Sequence, residues 1–593
     1  MTVAERRRRE KHAGRHYTPP ELAAYFARLA LEHLEARRLA VFDPACGDGA
    51  LLLAVLDELE RTGRKAPHLA GMELEPRARE IAASRLEGRT VASLQLRQGD
   101  FLEHRPPDLF GGDGKAALPV LTERGFDLVI ANPPYVRTQV LGARRAQELA
   151  SSLGLSGRVD LYQAFVRAMT PLLAQGAVLA LLCPNRFMTT RSGAAMRDLL
   201  AREFQILQLV DLGDTGLFRA AVLPAILIAR RASGGRRSAT PFVRVYRAEA
   251  AQSRPGPRTA PAPAGLLDAL AGRGKGRLQI EGRGYRIDRG AVELPGDGRS
   301  TWNLLSPAER DWSARIGRRR HACFEDLARI RVGVKTTADA VFIRDDWDRL
   351  PAGERPEPEL LRPLLTHRDA APYLARGRPS MTILYPHTIE DERRRPVDLN
   401  RHPRARSYLE RHRPRLASRR YLIEARREWY ELWVPHDPRQ WSRPKIVAPD
   451  ISKSPRFHLD RTGAVVNGDC YWITLRPDRD PRLLLLILAV ANSSLATRYY
   501  DNLCSNRLYS GRRRYITQYL NSFPVPNPDA DPAARIIRLV ERRLEAPPGG
   551  PHPAELEAAI DRLVSRAFEM PEEPAGRLEG QKRASTPDHI SLP

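Results

Sequence analysis

Four consecutive residues, Asn132-Pro133-Pro134-Tyr135, bring together the groups needed to hold an exocyclic amine on a planar ring. The asparagine amide oxygen and the Pro133 carbonyl can each accept one N–H, because asparagine offers a side-chain acceptor and proline keeps its C=O. Two prolines fix φ and hold those acceptors still, and Tyr135 offers a flat face on which a base can stack. The tetrapeptide follows the apolar run Phe126-Asp127-Leu128-Val129-Ile130-Ala131, which reads as a buried parallel strand. The four residues are therefore expected at its carboxyl end, where open α/β sheets form their ligand crevice. On these residues alone a second reading stays open, a strand and tight turn with Tyr135 as core packing.

Upstream lies a second constellation. Leu39 to Phe42 reads as a short strand, Asp43-Pro44-Ala45-Cys46-Gly47-Asp48-Gly49 as the loop after it, and Ala50 to Glu60 as a helix. Glycines at 47 and 49 let the backbone bend and approach a ligand closely. The loop brings its own carboxylate, Asp43, and lacks the third glycine and the Lys-Ser/Thr of a phosphate loop, so it suits a cationic ligand better than a pyrophosphate. Leu69 to Glu73 is a second strand ending in an acid, near the spacing at which doubly wound sheets place a carboxylate on a ribose diol. Leu94 to Leu96 is a third, followed by Gly99-Asp100-Phe101, an acid and an aromatic able to bind and cover a purine. Before all of these, His16-Tyr17-Thr18-Pro19-Pro20 leads into a helical pattern from Glu21 to Ala30, with Thr18 as the expected N-cap.

Composition narrows the partner. The 593 residues carry 96 Lys and Arg against 71 Asp and Glu, a net charge of +25, which points to a polyanion. A GC-rich genome accounts for arginine in place of lysine but not for the deficit of acids. The five cysteines are scattered without a CxxC pair, which argues against a disulfide framework or a zinc site and for a reducing cytoplasm. No metal is expected. No apolar run reaches the roughly 18 residues of a membrane span, and 483–491 reads as a buried helix, so no membrane partner is expected.

In their order, these motifs resemble the S-adenosylmethionine-dependent amino-methyltransferases, in the arrangement of the gamma-type, TaqI-like adenine-N6 DNA enzymes of type II and IIG restriction-modification. The resemblance implies an α/β fold, a Rossmann-like methyltransferase domain followed by a C-terminal α+β target-recognition domain. It implies S-adenosyl-L-methionine as cofactor, held by Tyr17, Thr18, Asp43, Pro44, Ala45, Cys46, Gly47, Gly49, Glu73, Asp100, Phe101 and Phe165. Asn132, Pro133, Pro134 and Tyr135 take the catalytic place, and Phe218, in Gly213-Asp214-Thr215-Gly216-Leu217-Phe218, is the second aromatic that stacks on the target base with Tyr135.

The expected domains are 1–250 (catalytic), 251–300 (linker and closing segment), 301–527 (TaqI-like specificity) and 528–593 (helical extension and polar tail). The stretch from Arg331 to Ile343, through Lys335, resembles the start of the specificity domain, and 514–526 resembles its close. Lys335, Arg512, Arg513 and Arg514 are candidate contacts to double-stranded DNA. A cognate restriction endonuclease or the subunits of a defence complex are candidate partners. Cytosine-C5 chemistry needs a cysteine in a Pro-Cys context, and here Cys183-Pro184 runs the other way. Cytosine N4, protein glutamine, a fused nuclease and a methylation or specificity component of a larger complex are the rivals. Asn132 in the leading position, the long basic region after the catalytic motifs, and the roughly 16 residues before the first motif argue against the first three in turn.

Overall fold

The computed structural model describes residues 17–34, 39–103, 125–135, 147–148, 151, 153, 160–217, 223–232, 239–248, 265–272, 274–504, 511–546 and 552–570. Phe218 and residues 251–264 and 273 of the expected linker and closing segment lie outside them. The chain divides into two compact units, Met1–Arg310 with Asn502–Arg512, and Asp311–Asp501 with Arg513–Pro593.

The first unit opens with helix α1 (Pro20–Leu31) and continues through β1 (Ala40–Asp43), α2 (Ala50–Arg61), β2 (His68–Glu73), α3 (Pro76–Leu86), β3 (Ser93–Gln98) and β4 (Phe126–Ala131). There follow α4 (Leu161–Met169), β5 (Leu173–Pro184), α5 (Ala194–Glu203), β6 (Phe204–Asp211), β7 (Pro224–Arg231), β8 (Thr240–Arg247), α6 (Leu266–Ala271), β9 (Gly276–Ile280) and β10 (Arg283–Val292). The described strands form one sheet in the order β3-β2-β1-β4-β5-β7-β6-β8-β10-β9. Strands β3, β2, β1, β4 and β5 run parallel, and β7 is antiparallel to both of its neighbours. The carboxyl ends of β1 to β4 therefore share one edge of the sheet, which is where ligands bind in such folds.

Alternation along the central strands explains why the sheet is covered on both sides. Leu128 and Ile130 pack with Leu22, Phe26 and Leu52 of α1 and α2. Val129 and Ala131, pointing the opposite way, pack with Phe165 and Met169 of α4 and Leu200 of α5. A parallel strand buried on both faces reads as a continuous apolar run, as 128–131 does.

One local expectation fails. The N-cap of α1 is Pro19, whose carbonyl accepts the Ala23 N–H at 2.9 Å, and no side chain caps this helix. The fixed φ of two prolines starts the helix one residue later than Thr18, which leaves the threonine hydroxyl for another partner.

The second unit is α+β. One antiparallel four-stranded sheet runs in the order Ala328–Val332, Cys470–Leu475, Lys445–Pro449, His458–Asp460. A second contains Ile343–Arg344, Met381–Leu384, Leu361–Leu365 and Val465–Val466. The rings of Trp441 and Trp472 meet at 4.8 Å in its core. Residues 483–491 are all buried in the helix Arg482–Asn492, against which the helices Asp531–Glu545 and Pro553–Ala567 pack. No single described helix is long and apolar enough to cross a membrane.

Candidate active site

The loop after β1 is built around two carboxylates. Asp43, the last residue of β1 and almost fully buried, accepts the Ala45 N–H at 3.0 Å. Burial pushes its carboxyl up to about 8, the Ala45 N–H opposes this, and the negative charge of Glu73 adds to it. Glu73 ends β2 and ties the loop to the next strand: Oε2 accepts the Gly47 N–H at 2.9 Å and Oε1 the Glu75 N–H at 2.9 Å. The Cys46 N–H donates to the Met72 carbonyl at 2.9 Å, adding a rung between the same two elements.

Glycine is required twice in this turn. Gly47 has φ +55°, and a Cβ there would stand 3.4 Å from the Tyr17 ring. Gly49 has φ +82°, and its Cβ would stand 3.1 Å from the Ala82 backbone. An L side chain at either position is strained.

On β3's side, Asp100 Oδ1 accepts the Leu102 N–H at 3.0 Å, bending the chain back after the strand. The buried Phe101 ring lies 5.8 Å from Phe42 of β1 and 5.3 Å from Phe165 of α4. Of the expected cofactor residues, Gly47 and Glu73 are joined by a hydrogen bond, Ala45 and Asp43 by another, the Tyr17 ring stands beside Gly47, and Phe101 and Phe165 belong to one aromatic cluster.

At the end of β4, Asn132 is half-buried and its Nδ2 donates to Thr18 Oγ1 at 3.0 Å. The threonine hydroxyl can donate as well as accept; with Nδ2 donating to it here, Oδ1 is the amide's acceptor. Tyr135 donates its hydroxyl to the Leu182 carbonyl of β5 at 3.2 Å, so the ring is held at its far end. Pro133 is buried and Pro134 half-buried.

Two features beside this edge escaped the sequence reading. Asp160, before α4, pairs with Arg186 at 2.9 Å. Buried Asp211 at the end of β6 accepts Asn185 Nδ2 and the Gly213 N–H at 3.1 Å each, and the Tyr246 hydroxyl at 2.6 Å. Nothing local to Asn185 announces its partners Asp211 and Tyr246, 26 and 61 positions away.

All five cysteines are free and buried. Burial, first of all, holds the thiols of Cys46 and Cys183 well above the usual range, the wrong direction for a nucleophile. Among the described residues no group of His, Cys, Asp and Glu could hold a metal ion.

Residues 68–218 match the family model of the Eco57I restriction-modification methylases, and 397–525 match the TaqI-like C-terminal specificity domain. The type II methyltransferase M.BanIII of Aneurinibacillus aneurinilyticus is 34% identical, over 96% of this chain and 99% of its own. The chain belongs to the type II DNA methyltransferases. The type II methyltransferase M.PaeR7I of Pseudomonas aeruginosa is 28% identical, over 83% of this methyltransferase and 81% of its own chain. Among solved structures, the type IIL restriction-modification enzyme MmeI, determined in complex with DNA, shares the fold. Its TM-score is 0.59 at 13% identity, over 94% of this chain and 73% of that one.

The methyltransferase takes S-adenosyl-L-methionine as its cofactor, and its residues fit that group. Two buried or half-buried carboxylates suit a cation and a diol, the glycine turn admits close approach, and the Phe101 ring offers an apolar cover.

The candidate DNA contacts differ in how free they are. Lys335 is exposed. Arg513 is clamped by Asp501 through two bonds of 2.8 Å, both side chains mostly buried, and donates to the Lys453 carbonyl. Arg514 pairs with Asp450 at 3.1 Å, and Arg512 is half-buried.

Proposed function

We propose that this methyltransferase acts on the N6 amino group of adenine, swung out of double-stranded DNA, as the modifying partner in restriction-modification. The observation that carries the reading is the Asn132–Thr18 hydrogen bond. With Nδ2 donating to Thr18, Oδ1 is the amide's acceptor, and with the Pro133 carbonyl it supplies two acceptors for the two hydrogens of one amino group.

Asn132 and the Pro133 carbonyl each accept one N–H of adenine. The amino nitrogen otherwise shares its lone pair with the ring; pulling on both hydrogens makes it more tetrahedral and frees that pair for attack. Bound S-adenosyl-L-methionine supplies a methyl group on a sulfonium, already a strong electrophile. Tyr17, Thr18, Asp43, Pro44, Ala45, Cys46, Gly47, Gly49, Glu73, Asp100, Phe101 and Phe165 hold it. The protein's part is then positioning and oriented dipoles. Extruding the base costs a few kcal/mol, which stacking on Tyr135 and Phe218 offsets at roughly 1–3 kcal/mol per base. The anchor from Tyr135 to Leu182 keeps the first of these rings in place before the base arrives.

Nucleoside mass spectrometry of DNA treated with purified protein and cofactor tests the reading. N6-methyladenine is expected from the native chain and at least ~100-fold less from Asn132→Ala, by the usual weight of one oriented polar group. N4-methylcytosine, or full turnover by Asn132→Ala, would overturn it.

A further inference from the structure

At the carboxyl edge of the first unit's sheet one buried carboxylate joins three chain segments. Strands β5 and β6 both run antiparallel to the β7 between them, so they leave the sheet at the same edge. Leu182, whose carbonyl holds the Tyr135 hydroxyl, pairs with Ile226 of β7, and Val210 pairs with Ile226 from the other side. Asp211 is thus one residue beyond the row that anchors Tyr135. Its Oδ1 accepts Asn185 Nδ2 and the Gly213 N–H, each at 3.1 Å, and its Oδ2 accepts the Tyr246 hydroxyl of β8 at 2.6 Å. One side chain therefore ties the exit of β5 to the exit of β6, and both to β8.

The loop 212–217 is fixed along its length. Gly213 has φ +49°, and a Cβ there would come within 2.1 Å of the Val245 carbonyl oxygen, so the turn lies directly on β8. Buried Asp214 accepts the Arg247 N–H at 2.7 Å, and buried Thr215 donates its hydroxyl to the Leu212 carbonyl at 2.8 Å. Half-buried Leu217 packs against the same apolar cluster as Tyr135, a cluster that includes Leu182 and Leu212. Leu209, Val210 and Leu212 around Asp211 are apolar and fully buried, so packing alone would be met by another such residue at 211. Desolvating a carboxylate is costly; a fully satisfied buried polar network instead specifies one geometry. The geometry specified here is where loop 212–217, which continues in sequence into Phe218, stands relative to the strand that holds Tyr135.

We propose that Asp211, with Asn185 and Tyr246 as its donors, is a positioning residue for methyl transfer: it holds the loop that precedes Phe218 in place against β5, so that Tyr135 and Phe218 grip the extruded base together. The proposal rests on the reading that these two aromatics stack on that base. Both oxygens of Asp211 are taken by protein donors, so it acts through the loop.

The experiment uses the full chain, the cofactor and a duplex that the native protein methylates. It measures the single-turnover rate at saturating DNA and cofactor, cofactor affinity and thermal melting, in a double-mutant cycle with Phe218→Ala. Phe218→Ala is expected to slow transfer roughly 5- to 150-fold, the range for loss of one stacked base. Tyr246→Phe keeps the ring and leaves the carboxylate two donors. It is expected to slow transfer at least ~3-fold in the native chain but less than ~1.5-fold where Phe218 is already alanine. Asp211→Ala is expected to slow it at least ~10-fold, and Asp211→Asn, whose amide oxygen still accepts from Gly213 and Asn185, to restore most of the rate. Cofactor affinity is expected to stay native in all of them. A native rate in Tyr246→Phe, whatever its melting temperature, would overturn the proposal, as would equal losses in the two backgrounds or a deficit removed by more cofactor. A native rate in Phe218→Ala would instead overturn the stacking reading on which the proposal rests.

Discussion

Thr18→Val isolates the orientation of the catalytic amide. Valine keeps the shape of the buried threonine but removes the oxygen that accepts Asn132 Nδ2 at 3.0 Å. Without it the amide loses the bond that holds its Nδ2 on residue 18. A hydrogen bond of this kind is worth about 0.5–1.5 kcal/mol net, so the single-turnover methylation rate at saturating DNA and cofactor should fall by roughly 2- to 13-fold. Thr18→Ser, which keeps the hydroxyl, should restore the rate. Cofactor affinity, measured separately by equilibrium dialysis, separates this effect from any loss through Thr18 and its neighbour Tyr17 at the donor site. A native single-turnover rate in Thr18→Val, or a rate deficit removed by more cofactor, would refute the argument that Thr18 sets the amide.

Because the Asp43 carboxyl is raised to about 8 in the folded protein, the folded state binds more protons than the unfolded state between about pH 4 and pH 8. Stability of the cofactor-free protein should therefore decline as pH rises from about 4 to about 8, and melting curves of Asp43→Asn across that window should be flatter. Gly49→Ala forces a φ of +82° on alanine and a Cβ to 3.1 Å from Ala82. It should cost about 1–3 kcal/mol by denaturant titration and weaken cofactor binding. Arg513→Ala removes one partner of a largely buried ion pair with Asp501. It should lower stability by up to ~3–5 kcal/mol, read as a fall in melting temperature, while the salt slope of DNA binding stays unchanged.

Much of the sheet edge was legible in the chain. Phe126–Ala131 is a strand over its expected span, because an apolar run closed by Asn-Pro-Pro has few other uses. Gly47 and Glu73 do meet, and Asp43 stands opposite Gly71 of the neighbouring strand, since a parallel βαβ unit brings the ends of adjacent strands together. What stayed hidden was long-range and polar. Thr18 resembles a helix cap, yet its hydroxyl serves Asn132, 114 positions on. Strand β6 was unannounced because Phe204-Gln205-Ile206-Leu207-Gln208 alternates imperfectly, and pairing with β7 and β8 decides its state. Arg513 looked like a phosphate ligand because a triple-arginine run shows its charge and conceals Asp501.

The most direct test of the central claim is long-read sequencing of DNA from cells expressing either the native chain or Asn132→Ala. Residue 132 gripping an extruded adenine predicts N6-methyladenine in one recurring sequence context with the native chain, and its disappearance with the variant. Modified cytosine in that context, or adenine methylation that persists when Asn132 is alanine, would contradict the account.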